Sequence, residues 1–144
     1  MFECAKRVRD GMEAKVPAGY TIDKASRLVI SSGSGVVTKA DLVAHRRKLM
    51  SDPAFDPDYS QIMDFSDVTD VEVEASDIRE MATEHVFSPT SRRAIIVRTD
   101  ATYGLARLFE IHRDMRGERG IRVFRDREEG LAWALGANKA DPEK

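Results

Sequence analysis

A single cysteine, Cys4, occurs among 144 residues. One thiol closes no intrachain disulfide and builds no cysteine-rich zinc site, so packing alone must hold the fold. A reducing, cytoplasmic setting is the expectation. Net charge is nearly absent as well: 23 basic and 25 acidic residues leave −2. No overall positive field exists to hold nucleic acid, and only local basic patches remain, as around Arg113, Arg116 and Arg119. No run approaches the roughly 18 consecutive apolar residues of a membrane span. The start, "MFECAKRVRD", has charges throughout and no apolar core of signal-peptide length, which argues against export. Internal repeats and low-complexity segments are also missing.

What is present is the balance of an ordinary globular domain, 42% apolar and 33% charged. A chain of this length buries enough apolar surface to fold as one domain. Residues 1–16 stand apart: Phe2, Ala5, Val8 and Met12 recur at helical spacing before Pro17. They predict a short amphipathic segment that packs on the domain or on another subunit. The domain itself is expected over 17–137, with 138–144 a polar tail.

"GYTIDKASRLVISSGSG" alternates apolar and polar residues on either side of "DKAS" and predicts two antiparallel strands. "SGSG" has the glycines of a phosphate loop but no Lys-Ser/Thr after it, so it is read as a flexible strand end. Thr38 caps the next helix and Asp41 completes a near capping box. Phe55 and Tyr59 should anchor the loop that follows Pro53. "YSQIMDFSDV" is apolar on both faces, as a covered central strand should be. A helix from about Ser76 carries Ile78, Met81, Ala82 and His85 on one stripe. "RRAIIVRT" and "IRVF" are strands; "TDATYGLARLFE" and "DREEGLAWALG" open helices. The expectation is an α/β single domain: a five-stranded, mostly parallel sheet with an antiparallel first strand, about four helices, and an N-terminal helical segment.

Four spaced segments carry a likeness: "RLVISSGSGVVTKADLVAHRRKLMSDPAFDP", "QIMDFSDVTDVEV", "RRAIIVRTDATYGLARLFE" and "IRVFRDREEGLAWAL". In this order the chain resembles the SpoIIAA-like family of bacterial STAS/SEC14-type domains over roughly residues 18–136. The resemblance implies a small mixed α/β sheet and attaches no catalytic residue set. It also implies a regulatory role, since STAS domains bind partner proteins and some are phosphorylated on a serine. That serine lies in an Asp-Ser-Ser-Gly context at a helix start after the central strand. Here the comparable place reads "EASDI", so Ser76 is present but the second Ser and the Gly are not. SEC14-type relatives bind lipids in an apolar pocket, and nothing in this sequence requires one.

The residues with chemical potential are few. Asp64, Asp67 and Asp70 follow one strand and Asp100 another, at the sheet edge where parallel folds bind ligands. They suit turns and caps, a ligand site, or Mg2+ and phosphoryl chemistry. The paired acids and late lysine of a phosphoryl receiver are missing. His45, His85 and His112 sit on three different helices with no i, i+4 pair, and His85 reads as a core residue. Trp133 is read as core or interface anchor. In the fourth helix-forming stretch, Leu105, Leu108, Ile111 or His112, and Met115 define a buried side. Tyr103, Arg107 and Glu110 share another, where Arg107 can stack on Tyr103 and pair with Glu110. Gly104 implies either close approach of another backbone or room for a ligand.

These residues point to a non-enzymatic regulatory or interaction domain with a protein partner or self-association, no nucleic acid, no membrane span and no cofactor. A carrier of a small amphipathic or acidic ligand is the alternative. The binding residues expected are Asp64, Ser76, Asp100, Tyr103, Gly104 and Arg107.

Overall fold

In the computed structural model, which describes residues 18–117 and 120–136, two strands open the fold as a hairpin. β1 (Ala18–Asp23) and β2 (Leu28–Thr38) pair antiparallel, Asp23 facing Leu28. Asp23 makes the turn: its Oδ1 accepts from the backbone N–H of Ala25 and Ser26, and Arg27 takes a left-handed φ of 55°. The expected N-terminal segment and the polar tail lie outside the described residues.

The chain then continues α1 (Lys39–Met50), β3 (Ser60–Glu72), α2 (Ala75–Met81), β4 (Arg93–Ile96), α3 (Asp100–Met115), β5 (Ile121–Phe124) and α4 (Arg127–Gly136). The sheet order is β1-β2-β3-β4-β5, with every pair after the first parallel. This is the expected fold class. Each crossover steps to the next strand in the same direction, so a constant crossover hand puts α1, α2 and α3 on one face. α4 follows the last strand and packs on β3, β4 and β5.

The alternation of side chains along the strands divides the core accordingly. Leu28, Ile62, Ala94 and Ile96 meet Ala134, Leu131 and Trp133 of α4. Val29, Leu49, Tyr59 and Phe87 form a second cluster under α1, with the expected loop anchor Phe55 against it. Ile95, Val97, Ala106 and Ile121 form a third under α3.

Two expectations change. "SGSG" is no flexible end: β2 runs through it to Thr38, with register shifts at Ser32/Ser34 and Gly35/Val36 and a φ of 66° at Gly35. Glycine accepts that left-handed backbone without strain, and the bulge lets β2 bend while staying paired. As a result β2 and β3 extend as a ribbon past the ends of β4 and β5. The second change is the helical phase of α3. Its buried residues are Thr102, Ala106 and Arg113, whereas Ile111 and Met115 are 43% and 75% exposed.

Arg113 explains that phase. It is fully buried, and its Nη1 donates to the carbonyls of Ala82 (2.9 Å) and Glu84, just past the end of α2. Those carbonyls have no helical partner, and a guanidinium satisfies two at once. α3 is thereby turned toward α2 on a cation rather than on its leucines.

Candidate functional site

α1 covers β1 and β2, and α3 covers β3 and β5. Between them only α2 is available, and its seven residues do not fill the gap. A cavity of about 150 Å³ remains between the two core clusters of that face. Its floor is Met63, Ile95 and, on the β2–β3 ribbon, Phe65 and Val71. Leu42 and Leu49 of α1 wall one side, Leu105, Ala106 and Phe109 of α3 the other, and Ile78 and Met81 of α2 close the end. Leu42, Phe65, Leu105 and Phe109 are only half-buried, so the cavity is a cleft rather than a sealed void.

One wall is polar. Gln61 and His45 face the cleft, and both meet Ser31 of β2 behind them. Gln61 Nε2 donates to Ser31 Oγ at 2.9 Å, and His45 Nε2 lies 2.9 Å from the same oxygen. Tyr20 of β1 braces the imidazole edge-on, ring centroids 5.5 Å apart. Burial holds His45 below its ordinary pKa, and the charge of Lys48 adds to this, so the ring is neutral at pH 7. Toward the mouth, Arg46 pairs with Glu84 at 2.6 Å. Arg93 also lines the cleft, its guanidinium 5.0 Å from the centre of the Phe87 ring.

The residues expected from sequence do not gather here. Asp64 points to the opposite face, where Arg127 Nε donates to Oδ2 at 2.9 Å and the Ser66 N–H to Oδ1. Burial raises its carboxyl, but the bonds from Ser66 and Arg127 outweigh this and hold it below the usual range. Asp100 is 96% exposed and pairs with Arg125 at 2.8 Å. Asp67 and Asp70 are exposed on the ribbon, and among the described residues no three acidic, histidine or cysteine side chains converge on a metal site. Ser76 is exposed in the first turn of α2.

Arg107 pairs with Glu110 at 2.7 Å as expected, but the cation over Tyr103 is Arg125, 4.5 Å from the ring centre. Gly104 has no close backbone against it: a Cβ built there has no neighbour within 4 Å, and the residue does not line the cleft. His85 is exposed beyond the end of α2 instead of buried on it. Trp133 is half-buried against Phe124, with Arg92 and Arg122 over its ring. The opening turn of α3 contributes to the cleft through Thr102 and Leu105, not through Tyr103 or Arg107.

These features define a class: an α/β domain of SpoIIAA-like fold whose helix-covered face holds an open apolar cleft. The structure is similar to that of an uncharacterized protein of the DUF3478 family with a SpoIIAA-like fold from Shewanella loihica PV-4. The TM-score is 0.54 at 17% identity, over 81% of this chain and 93% of the other. At that identity the likeness is one of fold. Comparison of the sequence with family models and with curated proteins finds no match. No helix among the described residues is long and apolar enough to cross a membrane.

Proposed function

We propose that this chain is a non-catalytic binding domain that takes one small, largely apolar molecule into the cleft between α1, α2 and α3. The cleft itself carries the reading. The cleft, of about 150 Å³, is open and lined mainly by apolar side chains, so a molecule filling it gains contacts and takes apolar surface out of water. An apolar cavity of about this size accommodates benzene, which sets the scale of the occupant at a single ring or a short chain. This retains the small-ligand alternative drawn from the sequence but relocates it, since Asp64 and Ser76 lie elsewhere.

Freshly purified protein analysed by native mass spectrometry should retain or take up such a molecule, and toluene should raise the Tm. Ala106→Phe projects a ring into the cleft and should abolish both effects while the protein stays folded. An unchanged Tm at saturating toluene, with no adduct, would sink the reading.

A second reading, self-association in a regulatory role, is favoured by the exposed Ile111 and Met115 on one side of α3. Sedimentation at rising concentration should then show a dimer that Met115→Glu disperses.

A further inference from the structure

The cleft wall carries a polar group that the protein leaves open. Gln61 is 2% exposed, lies at the start of β3 and lines the cleft. Its nitrogen donates to Ser31, but its oxygen, Oε1, has no hydrogen-bond partner among the described residues. An amide oxygen accepts, so at the cleft it is open to water or to a ligand that donates.

The network behind it sets which end faces out. Ser31 Oγ accepts from the Gln61 amide nitrogen and also lies 2.9 Å from His45 Nε2. The amide nitrogen is thereby turned toward Ser31 and the oxygen away from it, on a side chain that lines the cleft. Oε1 only accepts, so the complementary atom must donate. The cations on the wall are engaged elsewhere: Arg46 with Glu84, and Arg93 over Phe87 with further contacts of its own. Thr102 Oγ1 accepts from Thr99 Oγ1, and the rest of the lining is apolar.

We propose that the cleft selects small apolar molecules bearing one hydroxyl group, phenols or short alcohols, whose hydroxyl donates to Gln61 Oε1. The inference rests on the cleft being a ligand site, and three probes of one shape separate the two claims. Calorimetry on the full chain would compare 4-methylphenol, toluene and 4-methylbenzoate. We expect 4-methylphenol to bind about tenfold tighter than toluene, the usual scale for one added buried hydrogen bond. Gln61→Leu should remove that advantage and leave toluene bound. Because the substitution also frees Ser31 and could impair folding, a second measurement uses the unaltered chain. The Gln61 side-chain amide resonances should shift with 4-methylphenol and stay in place with toluene. Equal binding of the phenol and toluene, or tightest binding of the benzoate, would overturn the hydroxyl proposal while leaving the cleft reading intact. Failure of all three to bind would overturn both.

Discussion

Gly104 stands just past the first turn of α3 with open space where a side chain would go. Nothing offsets its backbone entropy there. Gly104→Ala should therefore stabilise the protein by about 0.5–1 kcal/mol, measured as a higher urea midpoint. Gly120 is the opposite case: an added Cβ would collide with the backbone carbonyl of Ser91. Gly120→Ala should cost about 1–3 kcal/mol in the same assay, because that carbonyl cannot swing aside like a side chain. The two glycines look alike in sequence, and only the neighbour brought in by β4 separates them. Gln61 was illegible for a similar reason. Its partner Ser31 is 30 positions away, and periodicity alone marks Gln61 as an interruption in a buried strand. A glutamine directly before the apolar pair Ile62 and Met63 was the one local hint.

At the level of elements, the caps were readable because they are local. Thr38 Oγ1 accepts from the Asp41 N–H and Asp41 accepts from the Thr38 N–H, the reciprocal arrangement its spacing implies. The phase of α3 was not readable. Leucine and isoleucine spacing pointed to one face, while the helix turns on Arg113, whose acceptors lie about 30 residues earlier in the chain. Arg113→Met keeps the bulk but leaves two carbonyls past α2 without a donor. It should cost about 3 kcal/mol in urea unfolding. Hydrogen exchange should show the loss of protection first in residues 82–92, which that cation ties down. The cleft itself depends on the shortness of α2, a length that "SDIREMATEHV" does not announce: the apolar stripe continues past the point where the helix stops.

For the molecule as a whole, the order of strands and helices followed from the sequence, since alternating apolar runs and capped amphipathic stretches leave few topologies open. The space between packed elements did not, because a cavity is a property of three helices and a sheet together. Acid stability is also a property of the whole. His45 is held neutral, so its folded pKa lies below the unfolded value of about 6.5. As pH falls below about 6.5 the unfolded chain takes up that proton first, and stability drops. Asp64 and Asp77 have lowered pKa values, so the stability they contribute is present above about pH 4 and lost below it. Urea titrations at pH 7.5 and 5.5 should show a decline that is smaller in His45→Gln.

The strand order, identical to chain order, bears on how the protein is made. As the chain leaves the ribosome, each new strand can join the edge of those already formed, and α1, α2 and α3 arrive in time to shelter one side. The other side waits. Leu28, Ile62, Ala94 and Ile96 are synthesised long before Leu131 and Ala134 emerge to cover them. Until α4 docks, the nascent sheet shows a bare apolar surface to the cell, the kind of surface that chaperones hold and that aggregation exploits. The last described helix therefore governs when the newborn chain becomes safe to release.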